Sequence, residues 1–188
     1  MSYIKQNDVL LNKLLEYYKN GDNMSKMLGI INGESRISLR IVDWFATNYA
    51  KKHYTVYNIN SKIISTGSFD VKRFKVYLDY KLNLKAYSKR RFDPFCRWQR
   101  ITIPYDKDKY IQTTIGQLNF FKWALENKVI EYIENNYSEI ESDMNSRNST
   151  SKRKTNNMQK TRKKREELSI LASKSIKREE VEIVVEFN

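Results

Sequence analysis

A single cysteine in 188 residues, Cys96, excludes an intramolecular disulfide and any multi-cysteine zinc site. A single histidine, His53, reads as a helix-end residue, and one His with one Cys is a poor supply of metal ligands. Glycine (five) and proline (two) are scarce, which argues against a loop-rich, many-hairpin all-β fold. No apolar run approaches the ~18 residues of a membrane-spanning helix. Residues 1–8 lack the basic stretch and apolar stretch of a secretory leader. No glycine-rich phosphate loop is present, since Gly67 and Gly116 stand alone. The expectation is an intracellular, soluble protein without disulfide, metal, cofactor or membrane partner.

What is abundant is aromatic and cationic. Thirteen Tyr, eight Phe and three Trp point to a globular body, and the formal net charge is +13. The surplus is concentrated late in the chain. Ser146 to Arg178 holds twelve Lys/Arg against Glu166 and Glu167, a net +10. Between its two clusters, Lys152-Arg153-Lys154 and Arg162-Lys163-Lys164-Arg165, lie Thr, Asn, Gln, one Met and Lys160. Such a stretch has little to bury and does not offset the entropy of ordering, so it reads as flexible. A flexible polycation is matched to a polyanion, nucleic acid first among them. The seven-residue spacing of the two clusters also resembles a bipartite nuclear-import signal.

These features divide the chain into a body over 1–145, a flexible basic segment over 146–167, and a C-terminal segment over 168–188. Along the body, Asn7-Asp8 is a helix cap for Val9–Lys19, with Gly21 as its stop. A short helix or turn follows at Met24–Ile31. Ser38 caps Leu39–His53. Tyr54–Ile59 reads as a strand, with a second short strand at Ile63-Ile64, and Phe74–Leu78 is a further strand candidate before a helix over Tyr80–Arg91. Asp93-Pro94 should end that helix, because the residue before proline avoids helical backbone. Arg100–Tyr105 alternates as a strand ended by Pro104. Thr114 and Gln117 form a capping box opening one long helix, Ile115–Asn136. The acidic run Glu126, Glu131, Glu134, Glu139, Glu141 and Asp143 reads as a solvated helix face. Val181, Ile183, Val185 and Phe187 alternate as a final strand that needs a partner, in the body or in another chain. The fold class is therefore α+β: a small helical and mixed-sheet domain, with a long disordered basic loop before a C-terminal strand.

Two sites are candidates for phosphate. One is the loop itself, through Lys152, Arg153, Lys154, Lys160, Arg162, Lys163, Lys164 and Arg165. The other is Tyr87–Arg100, where Lys89, Arg90, Arg91, Arg97 and Arg100 interleave with aromatics. Cations there would hold phosphates while Tyr87 and Trp98 stack on exposed bases. The plainer alternative makes Phe92, Phe95 and Cys96 the core of a tight turn flanked by solvated arginines. If both sites bind, they gain by sharing one face, with the acids at 126–143 turned away. For an enzyme of nucleic-acid metabolism, Asp43, Asp70 and Asp79 are the available carboxylates, but no spacing among them matches a metal-binding motif.

Three stretches carry a resemblance. They are Ile37–Lys52 (ISLRIVDWFATNYAKK), Leu84–Arg97 (LKAYSKRRFDPFCR) and Thr114–Ala124 (TIGQLNFFKWA). Together they resemble an uncharacterised protein family of giant, nucleocytoplasmic large DNA viruses, whose AT-rich genomes favour such Asn-, Lys- and Ile-rich chains. That family carries no assigned activity, so the resemblance implies no catalytic residues. It implies a setting: host cytoplasm, viral factory, nucleus or virion. The reading is a non-enzymatic, mostly sequence-independent binder of DNA or RNA. The alternative is an assembly protein, such as a minor virion component, docking on viral structural or transcription proteins through its last strand.

Overall fold

The computed structural model describes residues 6–62, 69–106 and 109–156. The expected strands at Ile63-Ile64 and Val181–Phe187 and the cations from Lys160 onward lie outside them. So do the side chains of Lys152, Arg153 and Lys154.

The fold is mixed α and β, as the patterning implies. Helices α1 (Gln6–Lys19) and α2 (Asn23–Ile31) are joined through Gly21 in left-handed backbone at φ 61°. Ser38 accepts a hydrogen bond from the Ile41 N–H and caps α3 (Leu39–Trp44). The helix then passes through a π-helical turn, Phe45–Tyr49, into α4 (Ala50–Lys52). The turn keeps Phe45, Ala46 and Tyr49 all buried.

The first hairpin pairs β1 (Val56–Lys62) with β2 (Phe69–Lys75) antiparallel. Tyr54 lies outside the strand, contrary to the alternation that placed it there. The strand expected at Phe74–Leu78 is also corrected. β2 ends at Lys75, and α5 runs Val76–Phe92. The reason lies in the packing: Val76, Tyr80, Leu84 and Tyr87 step by three and four residues onto the core. Asp93 ends α5 as expected.

β3 (Arg100–Asp106) pairs with β4 (Lys109–Thr114), which sequence patterning did not single out. Pro104 does not end β3. It is paired with Tyr110 at a register shift, the kind of place a strand tolerates proline.

The long helix expected over 115–136 is two helices, α6 (Ile115–Glu126) and α7 (Val129–Asn135). Lys128 in left-handed backbone, φ 54°, breaks them. α6 is not a one-sided amphipathic helix but the central element of the fold. Leu118, Phe120, Phe121, Trp123 and Ala124 are buried, and so are Gln117 and Asn119. Both buried polar side chains of α6 are satisfied: the Thr113 hydroxyl donates to Gln117 Oε1 at 2.7 Å, and Asn119 Nδ2 donates to the Arg91 carbonyl at 2.9 Å. Half of the capping box forms, Thr114 Oγ1 accepting from the Gln117 N–H, while the Gln117 side chain serves Thr113 instead.

The last described helix, α8 (Tyr137–Asn156), continues past residue 146. The start of the segment read as flexible is thus helical, and Lys152, Arg153 and Lys154 lie in its final turns.

Candidate nucleic-acid interface

The turn at residues 89–100 is built by a close approach of α5 to α6. Ser88 leaves helical geometry (φ 64°, ψ 165°) and redirects the last turn of α5. That turn lies against Gly116, where a Cβ would meet the Asp93 carbonyl at 2.9 Å and the Arg90 carbonyl at 3.1 Å. Only glycine allows the two backbones this near. Asp93 then folds the chain over: its Oδ1 accepts from the Phe95 N–H at 2.9 Å and its carbonyl from the Cys96 N–H at 3.2 Å.

The aromatics of this turn mostly serve the interior. Phe92 is fully buried, with its ring near those of Tyr80, Phe120 and Trp123. Tyr87 stacks on Phe92 with ring centroids 6.2 Å apart. Trp98 carries the Arg90 guanidinium over its ring at 4.1 Å. Phe95 and Cys96 are half-buried. The cations divide. Lys89, Arg90, Arg97 and Arg100 are exposed, whereas Arg91 is half-buried and donates from Nε to Asn7 Oδ1 at 2.9 Å. Arg100 reaches across the second hairpin to Gln112 Oε1 at 3.0 Å.

A larger basic surface lies beside this turn, and sequence reading missed it. Residues 51–92 hold eleven Lys/Arg against Asp70 and Asp79, a net charge of +9. It straddles the start of the 87–100 stretch singled out for its interleaved aromatics, and a sliding charge window finds it. In the fold, Lys51 and Lys52 end α4 and the other nine cations lie on the first hairpin and α5. Lys72, Arg73, Lys75, Lys81, Lys85 and Lys89 are exposed, and none takes part in an ion pair among the described residues. Leu78 and Leu82 share the outer face of α5 with Lys81 and Lys85, at 54% and 58% exposure.

The acids behave differently. Those at 126–143 spread over α6, α7 and α8 rather than one long helix; Glu126, Glu131, Glu134 and Glu139 are exposed as expected, and most of the six have partners. Glu126 pairs with Lys122 at 3.2 Å and Glu131 with Lys128 at 3.9 Å. Glu139 accepts from the Tyr49 hydroxyl and Glu141 from the Tyr137 hydroxyl. Asp143 is 8% exposed and takes hydrogen bonds from Lys52 Nζ and, at 3.1 Å, Trp44 Nε1. Burial pushes its pKa up, but the Lys52 and Trp44 hydrogen bonds and the Lys52 and Arg147 charges outweigh that and hold it below the ordinary value.

Of the three carboxylates considered for catalysis, Asp79 is a structural acceptor. It takes Trp123 Nε1 at 2.7 Å and Asn83 Nδ2 at 2.9 Å. Asp70 lies on β2, opposite Ser61 in the register. Asp43 faces the turn at Asp93. Burial, and then the negative charge of Asp93, raise its pKa to about 7. Among the described residues, no three His, Cys, Asp or Glu side chains gather as metal ligands, and no helix is long and apolar enough to cross a membrane.

Comparison with known proteins agrees with the resemblance carried by the three quoted stretches. A family of unknown function (DUF7197) matches residues 3–185. "Uncharacterized protein L507" of Acanthamoeba polyphaga mimivirus is 46% identical over 139 residues, covering 71% of this chain and 51% of the relative. The chain thus spans about half the length of that relative. No solved structure matches. The chain belongs to the DUF7197 family of unknown function, and it is a giant-virus protein.

Proposed function

We propose that this protein is a non-enzymatic, largely sequence-independent nucleic-acid-binding protein of its virus. One observation carries the reading. The exposed cations of the first hairpin, α5 and the 89–100 turn have no carboxylate partners among the described residues, whereas Glu126, Glu131 and Asp143 of the late acids are each paired with a lysine. Unneutralised charge on an ordered surface is what a phosphate backbone binds, with release of its counterions. The loop cations Lys152 to Arg165 would add a second, wrapping contact. Action on the genome or its transcripts in the viral factory, the nucleus or the virion fits such binding, with viral structural or transcription proteins as neighbours.

The test is a fluorescence-anisotropy titration of full-length protein with labelled DNA and RNA between 50 and 200 mM salt. Neutralising several phosphates should cost at least ~10-fold in affinity across that range. An affinity that barely moves with salt would rule the reading out.

A further inference from the structure

Tyr54 occupies a position that a polypeptide ordinarily gives to glycine. It follows α4 as the residue that reverses the chain: the Thr55 N–H returns to the Ala50 carbonyl at 3.1 Å, the outer bond of a helix-ending Schellman turn. Its φ is 48°, in left-handed backbone. At two other left-handed turns the chain uses Gly21 and Gly33, and at a third it uses Lys128. A side chain in this conformation costs ~1–2 kcal/mol. Interior packing gives nothing back, because Tyr54 is 86% exposed. Strain that does not serve the fold points to a function for the side chain.

The surroundings indicate which function. Tyr54 forms the rim of a pocket of about 310 Å³ whose walls include Lys51, Val56, Lys75, Tyr77 and Leu78. Lys51 Nζ sits 5.6 Å from the centre of the Tyr77 ring. Val56 and Lys75 are opposite one another in the hairpin register, so they share a face of the β1–β2 ribbon. The pocket therefore offers aromatic and aliphatic walls for a flat ring, and ammonium groups at its edge for phosphates. It opens within the stretch of net charge +9.

We propose that this pocket is a stacking site for an unpaired base of single-stranded nucleic acid, with Tyr54 as the stacking platform and Lys51 and Lys75 as phosphate contacts. The proposal rests on the nucleic-acid-binding reading and adds the strandedness of the ligand. A duplex keeps its bases stacked on each other and offers the ring nothing, whereas a single strand presents a π-face at every nucleotide.

The experiment compares full-length wild type with Tyr54→Gly and Tyr54→Phe, by anisotropy, on a labelled 20-nucleotide single strand and a 20-base-pair duplex. Tyr54→Gly relieves the backbone and should hold or raise Tm, so lost binding cannot be ascribed to unfolding. The expected result is about tenfold weaker single-strand binding for Tyr54→Gly, unchanged duplex binding, and near wild-type behaviour of Tyr54→Phe. Equal losses on single strand and duplex, or no loss on the single strand, would overturn the stacking site and leave general binding intact. A wild type that binds only duplex would do the same. A wild type that binds neither ligand would remove both readings together.

Discussion

Helices α5 and α8 both pack against the α3–α4 helix, and both carry many charges, yet they differ in which of those charges have partners. On α8, Glu139, Glu141 and Asp143 are all engaged by Tyr49, Tyr137, Trp44 or Lys52. On α5, Lys81, Lys85 and Lys89 project without a carboxylate partner among the described residues. The α5 side even has the converse arrangement, in which the Asp43 carboxylate meets the negative charge of Asp93 rather than a cation. A helix acts on distant ligands only through charges its own protein leaves unneutralised, so charge totals mislead until pairing is known.

The sharpest contrast is one of pH. The pKa of Asp43 is raised to about 7, so the folded protein holds a proton that the unfolded chain has lost. Its contribution is fully present below the unfolded pKa (~3.9) and is lost as pH rises through 7, to a total of up to ~4 kcal/mol. Asp43→Asn, which cannot ionise, should raise Tm at pH 8 and leave it unchanged near pH 4. Thermal melts across that range check this, and an equal shift at both pH values would show that no titration is involved.

Deleting Lys152–Arg165 should weaken binding to DNA and RNA by about 100-fold near 150 mM salt, or ~2.8 kcal/mol, because eight cations leave. Tm should stay within a few degrees. Full retention of affinity would assign all binding to the α5 side.

On the α8 side, Asp143→Ala should lower stability by ~2 kcal/mol, since Trp44 and Lys52 lose their acceptor; half-exposed Lys52 regains water and limits the loss. The sign with pH is opposite to that of Asp43. A depressed carboxylate contributes above its unfolded pKa, and the contribution is lost as pH falls through the lower folded one. The difference between variant and wild type should therefore shrink in acid. Nucleic-acid affinity should not fall, and a drop would show that α8 charges act outward after all.

The smallest effect belongs to α5. Lys81→Gln, Lys85→Gln and Lys89→Gln together should weaken binding about fivefold, ~1 kcal/mol, and flatten the salt slope by up to three. Circular dichroism should be unchanged, because the three side chains are exposed. An unchanged salt slope would move the interface off this helix.

Much of the helical framework was legible because it depends on local signals. Ser38, Thr114, Gly21 and Asp93 start or stop their elements where capping chemistry and proline sterics require. Strand ends were harder. Phe74–Leu78 is apolar enough for either periodicity, and only the core contact of Val76 and Tyr80 decides for helix. β4 was missed because Lys109–Thr114 is polar and acquires its identity from pairing with β3. The 89–100 site was found through its residue types, but the commitment of Tyr87 to Phe92 and of Arg91 to Asn7 is a matter of contacts that no spacing encodes.

The sequence alone determined the sign of the protein's charge, the absence of a disulfide framework, and the kinship carried by the Ile37–Lys52, Leu84–Arg97 and Thr114–Ala124 stretches. These are properties of residue identity, which folding leaves unchanged. Tertiary structure decided which charges remain available and which aromatics are free, because both depend on neighbours distant in sequence. Asp143 is neutralised by Lys52, 91 positions away, and hydrogen-bonded by Trp44, 99 positions away. Tyr54, read as an ordinary strand residue, becomes the most exposed large hydrophobic side chain among the described residues, because the helix before it has to turn there.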